Sequence, residues 1–204
     1  MRERPILFNT EMVKAILEGR KTCTRRAIKF SCGMTGRPIG KAGDSSNPLG
    51  VMYPGGIKRP PYQRGDILYV RETWCSAYDG EKYFYLADKL TNREERLLLN
   101  YDNVKWHPSI HMPKEVTRIW LKATDVRVER LQEITETQAQ AEGCNSGLLT
   151  GPCTARGQFE NLWNSTIKKP DADKYGWSAN PWVWVIEFER CEKPRKRRWS
   201  TSKK

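Results

Sequence analysis

Gly19-Arg-Lys-Thr-Cys-Thr-Arg-Arg26 is the stretch on which the reading of this 204-residue chain turns. It sets the Lys21 amine, the Thr22 and Thr24 hydroxyls and the Arg25 and Arg26 guanidinium groups directly behind a short helix. Asn9 or Thr10 is placed to cap that helix, apolar residues recur at helical spacing (Met12 or Val13, then Ile16 and Leu17), and Gly19 is the predicted stop. A cluster of this kind suits two tasks, gripping a phosphate or activating a nucleophile.

Working outward, the C-terminal run Trp182-Val-Trp-Val-Ile-Glu-Phe-Glu189 is apolar on both faces until Glu187, which predicts an interior strand. Gly65-Asp66 reads as a turn into a strand over Ile67-Leu-Tyr-Val-Arg-Glu-Thr-Trp74, with Tyr83-Phe-Tyr-Leu-Ala87 as its neighbour across a turn at Asp79-Gly80. Residues 117–130 read as hairpin material: Ile119, Leu121 and Ala123 point one way, and Val126 and Val128 resume the alternation after a break near Thr124-Asp125. Thr135-Glu-Thr-Gln138 has the form of a capping box, and Gly143 ends the helix it opens, which leaves Glu142 at the unfavourable end of the helix dipole. Phe159, Leu162 and Trp163 mark a third amphipathic helix over 157–166. Short strands with a few short helices predict an α+β domain whose strands form a small mixed or closed sheet.

Composition narrows the class further. The chain is long enough for one domain over 1–192, interrupted at 31–64, where seven glycines and five prolines in 34 residues predict a long loop or insertion. No apolar run is long enough to span a bilayer, and the N-terminus lacks the apolar core of a signal peptide, so a cytoplasmic protein is expected. Six scattered cysteines without a Cys-x-x-Cys pair argue against a disulfide framework and a structural zinc site. His107 and His111 are separated by a helix-breaking Pro108 and accompanied by no carboxylate cluster, so no metal is expected. Of the formal charge of +12, seven positive charges lie in the tail 193–204, expected to be mobile, and only +5 remains on the first 192 residues. The tail serves either as a sequence-blind arm on phosphate or as a solubilising end.

The spacing Gly19-x-Lys21-x-x-Thr24-x-Arg26 resembles the signature of the ASCH domain, a PUA-like β-barrel superfamily tied to RNA, with Thr24 where the common motif has Glu. That departure is shared by the branch of the family that hydrolyses N4-acetylcytidine. Further islands resemble the same branch: Gly65-Asp66-Ile67-Leu68, the stretch from Leu131 to Gly143, and Val183-Trp-Val-Ile-Glu-Phe188. Nearly the whole chain to Cys191 looks like the larger phage and prophage members of the family, which share Val70-Arg-Glu-Thr-Trp74, Pro108-Ser-Ile-His-Met-Pro113 and the Asn180-Pro-Trp-Val-Trp-Val ending. The resemblance implies a PUA-like barrel with a cleft for a pyrimidine nucleoside or nucleic acid, RNA above DNA, and no cofactor.

Carried over by position, the catalytic triad of the amidohydrolase branch falls on Lys21, Thr24 and Glu142. Thr24 is then the nucleophile, Lys21 the base that activates it, its proton affinity reduced by Arg25 and Arg26, and Glu142 the group that orients Lys21 or shuttles a proton. Arg25, Arg26, Arg71, Glu72 and Trp74 are the candidates for holding substrate or phosphate. Against these stand plainer readings: a phosphate-binding loop without chemistry at 19–26, a solvated helix residue at Glu142, a surface ion pair at Arg71 and Glu72, and core tryptophans. Metal-independent cleavage of RNA by Lys21, Arg25 and Arg26 is a third option. Cys23, flanked by cations, is either a thiolate nucleophile or a lining residue.

Overall fold

The computed structural model describes residues 2–30, 36–41, 44, 48–77, 82–88, 105–145 and 154–194. The turn at Asp79-Gly80, Cys32, Cys153 and the tail beyond 194 lie outside them. In chain order the described elements are β1 (Glu3–Leu7), α1 (Thr10–Leu17), β2 (Cys23–Ala27), β3 (Arg37–Ile39), β4 (Gly50–Tyr53), β5 (Gly56–Lys58), β6 (Ile67–Arg71), β7 (Trp74–Ala77), β8 (Lys82–Tyr85), β9 (Trp120–Arg130), α2 (Glu136–Ala141), α3 (Ala155–Thr166), α4 (Ala172–Tyr175) and β10 (Trp182–Cys191). The architecture is mixed α+β, and its main sheet runs β1-β6-β9-β10-β2, parallel only between β1 and β6. Among the described residues this sheet is open, with β1 and β2 at its edges, rather than closed into a barrel. No described helix is long and apolar enough to cross a membrane.

β10 is interior because both of its faces are covered. Trp184, Ile186 and Phe188 enter one apolar cluster with Ile6, Phe8 and Ile16, while Val183 and Val185 enter a second with Phe159, Trp163 and Trp177. A strand with apolar side chains on both faces removes them from water only between two layers, and α1 on one side and α3 on the other supply those layers.

The break near Thr124 is a β-bulge inside one continuous strand, not a hairpin. Glu187 pairs with Asp125 and Phe188 with Ala123, so Thr124 is the extra residue. One extra residue reverses the alternation, and Leu121, Ala123 and Val126 therefore all reach the same cluster. The run 67–74 likewise departs from a single strand. It divides between β6 and β7 at Glu72-Thr73, where Glu72 is buried under Arg118, and β7 pairs with β8 in a separate ribbon. The 31–64 insertion contains its own small sheet, β3-β4-β5.

Caps set the helix ends. Asn9 Oδ1 accepts from Met12 N at 2.9 Å, Thr135 and Gln138 form the reciprocal capping box, and Thr154 caps α3. Gly19 follows α1 at φ +76°, and Gly143 follows α2 at φ +95°. Gly143 has a second reason to lack a side chain, since a Cβ there lies 2.9 Å from the Cβ of Ala15 in α1. Gly143→Ala is therefore expected to destabilise the fold by about 1–3 kcal/mol through backbone strain and overpacking, read as a lower urea midpoint at unchanged m-value.

Candidate functional site

Strand β2 begins where α2 ends. Thr22 N donates to Ala141 O at 2.9 Å, and Lys21 and Glu142 form an isolated antiparallel bridge, so the octapeptide and the helix terminus are joined by backbone first. Pairing in β2 then sorts the side chains by face. Thr24 lies opposite Ile186 and Arg26 opposite Trp184, on the face of the first cluster; Arg25 lies opposite Val185, on the face of the second. Cys23 packs in that second cluster.

Lys21 is enclosed, with its side chain fully removed from solvent. Its Nζ donates to Cys23 O at 2.7 Å, to Glu142 O at 2.9 Å and to Glu142 Oε2 at 2.6 Å. Three acceptors match the three protons of an ammonium group. The Glu142 carbonyl is an otherwise open acceptor of the last helical turn, so one side chain closes the helix end and binds its carboxylate. The other carboxylate oxygen, Oε1, accepts from Arg25 Nη1 at 3.2 Å. Arg25 Nη2 continues to Glu129 Oε2 at 3.1 Å and Gln138 Oε1 at 3.0 Å. Glu129 accepts in turn from Arg127, which also binds Asp125 and Glu187.

Glu129, Gln138 and Arg127 were not among the candidates drawn from sequence. Their signal was present: Asp125, Arg127 and Glu129 occupy every second position opposite the apolar Val126 and Val128, which puts charges of both signs on one half-buried face of the strand. Gln138 serves twice, because the oxygen that accepts from Arg25 also accepts from Thr135 N in the capping box.

Thr24 is 2% exposed and faces away from the Arg25 guanidinium. Its neighbour on that face, Arg26, donates from Nη2 to Leu7 O at 2.8 Å and lies 5.5 Å from the centre of the Phe8 ring. Lys21 Nζ lies 5.7 Å from the same ring, which places it at the sheet edge between the two faces. Burial draws the Arg26 guanidinium below its ordinary value, against the opposing pull of Tyr62 and Glu142.

Arg71, Glu72 and Trp74 form a different group. Arg71 Nε donates to Met112 O at 2.7 Å, Glu72 takes a bidentate pair from Arg118 at 3.0 Å, and the Trp74 ring sits 5.1 Å from His107 and 6.0 Å from Tyr83. This group anchors the β7-β8 ribbon to the segment before β9. Cys23 Sγ lies 4.0 Å from Glu142 Oε1, and burial followed by the Glu142 charge pushes the thiol up to about 12 despite Arg25 and Lys21. That environment favours a neutral lining thiol over a thiolate nucleophile.

Compared with known proteins, the chain matches no family model, no curated protein and no solved structure.

Removing one member of a buried ion pair leaves a desolvated charge, so Glu142→Ala is expected to cost about 3–5 kcal/mol in urea unfolding, and Lys21→Met with Glu142→Leu together less than the sum of the single changes. Cys23 should resist iodoacetamide in the native protein at pH 8 while the half-exposed Cys191 is modified, as peptide mass spectrometry would register. With the folded thiol at about 12 against an ordinary 9.0, its stabilising contribution is complete below pH 9 and fades as pH rises toward 12.

Proposed function

We propose that the chain is an ASCH-type, PUA-like protein that binds a pyrimidine nucleoside, free or within RNA, and hydrolyses an acyl amide on the base, as in N4-acetylcytidine. The observation that carries this reading is the buried contact of Lys21 Nζ with Glu142 Oε2 at 2.6 Å, made across a separation of 121 residues and three positions before the buried Thr24 in sequence. A buried ion pair is weak evidence for stability, since packed apolar residues often serve as well; an enclosed ammonium and carboxylate on the segment that carries a buried threonine have a use in acyl transfer. The barrel-like reading draws support from Arg26, which reaches from β2 to Leu7 O at the end of β1 and so links the two edges of the open sheet.

Each step balances. The Lys21 proton passes to Glu142 Oε2, and the resulting amine exchanges one carbonyl acceptor for the Thr24 hydroxyl by rotating its terminal torsions. As Thr24 Oγ1 bonds the carbonyl carbon, its proton moves to Lys21. The C–N bond breaks, the exocyclic nitrogen takes a proton from the Lys21 ammonium, and an acyl ester remains on Thr24. Water then attacks the ester as its proton passes to the Lys21 amine, the bond from the acyl carbon to Thr24 Oγ1 breaks, and Oγ1 takes that proton back, so the net reaction consumes one water and releases a carboxylic acid and the free amine. Arg26, on the Thr24 face, is the group that would hold the base carbonyl.

One observation favours a second reading. Lys21 already has an acceptor for each ammonium proton, and Thr24 is enclosed, an arrangement equally suited to a structural lock beneath a nucleic-acid-binding surface. Incubation with N4-acetylcytidine separates the two. The amidohydrolase releases cytidine and acetate in equal amounts, with Thr24→Val and Lys21→Met lowering kcat by about 10²-fold or more at unchanged circular dichroism. Folded wild-type protein that releases no cytidine while retaining RNA binding supports the second reading instead.

A further inference from the structure

The insertion borders a half-open cavity of about 170 Å³ above the first-cluster face of the sheet, lined among others by Lys41, Leu49, Arg59, Tyr62, Arg64 and Val126. Its lining holds three cations against one carboxylate, Asp44. Its position relative to the candidate nucleophile follows from strand register. Val126 is paired with Ile186, which is paired with Thr24, so cavity and hydroxyl share a face two strands apart, about 10 Å at the usual interstrand spacing.

Size limits what the cavity takes. The volume is enough for one tetrahedral oxyanion and below the ~300 Å³ of sites that enclose a whole organic ligand. Charge sets the sign of the guest. Arg59 Nη1 donates to Leu49 O at 3.2 Å and to Pro48 O, which makes it a brace for the wall, while the exposed Lys41 and Arg64 stand at the rim. Behind the wall Tyr62 donates its hydroxyl to Pro5 O at 2.8 Å, and both Arg26 and Arg4 lie within electrostatic reach of it. Arg4 Nε is buried with no hydrogen-bond partner and lies 4.0 Å from Asp66 Oδ2, so among the described residues the two guanidinium groups behind the wall have a single carboxylate within 4.0 Å.

We infer that the insertion cavity is a phosphate subsite, set one nucleotide's reach from Thr24 and Arg26, and that the protein therefore prefers a phosphorylated pyrimidine to the bare nucleoside. The shared chemistry is a phosphate ester, free as a nucleotide or repeated along an RNA strand. This rests on the proposed function for the choice of base and for its placement at Thr24 and Arg26.

Calorimetric titration of the full chain with cytidine, cytidine 5′-monophosphate and a short single-stranded RNA tests it without any catalytic step. The monophosphate is expected to bind at least tenfold more tightly than cytidine, and Lys41→Gln with Arg64→Gln to erase that advantage while leaving cytidine affinity and any hydrolysis of N4-acetylcytidine unchanged. If RNA is the source, it binds more tightly still, and its dependence of log K on log salt becomes shallower by about 0.7 for each cation removed. Equal affinity for cytidine and its monophosphate overturns the inference, as does an advantage that survives the double substitution. A phosphate advantage in a protein that hydrolyses no acylated base upholds this site and sinks the amidohydrolase reading alone.

Discussion

The Glu142 carboxylate, shared between Lys21 and Arg25 in a site closed to solvent, is the constraint on which the arrangement of the site depends. Lys21 finds its carboxylate partner in Glu142, Arg25 divides its guanidinium between Glu142 and Glu129, and Glu142 sits where the helix dipole opposes it, so the buried carboxylate is tolerable only beside these cations. Holding them together fixes the start of β2 against the end of α2. Gly143 makes that junction compatible with α1, because only a residue without a side chain turns the chain at φ +95° so close to Ala15.

The network extends this constraint across the sheet. Arg25 joins β2 to Glu129 on β9 over the top of Val185, and Arg127 joins β9 to Glu187 on β10. The polar chain occupies the same face as the second apolar cluster, which covers Arg25 with the Phe159 ring at 5.9 Å. Water is thereby kept from Arg25 and Glu142, which strengthens that pairing and makes the loss of either partner costly, while Arg127, Asp125 and Glu187 continue the chain out to the partly exposed end of the face.

Local signals made the helices and the interior strand legible. Asn9, Thr135 with Gln138, Gly19 and Gly143 act through bonds and torsions within a few residues, and the two-faced apolarity of 182–186 has few other uses. What stayed hidden depends on partners distant in sequence. The division of 67–74 at Glu72 is set by Arg118, and whether Thr124 marks a turn or a bulge is decided by the register of β10. The strands of the insertion are three or four residues long, too short to register a period among so many glycines and prolines. For the site, Glu142 with Lys21 was reached through the resemblance of the octapeptide; Glu129 and Arg127 required the pairing of β9 with β10.

Placing the octapeptide at a sheet edge resolves a difficulty that strand geometry raises. In a regular strand, residues three apart point to opposite faces, and Lys21 and Thr24 would be separated by the sheet itself. Lys21, however, precedes β2 and contributes only an isolated bridge, so its side chain passes around the edge to meet Glu142 and Phe8 together. An interior strand offers no such route, since its neighbours block it on both sides. The edge position thus lets one lysine join the ion network on one face while its ammonium lies 5.7 Å from the Phe8 ring on the other, the ring that Arg26 also approaches, and it explains why the motif stands at the end of the sheet.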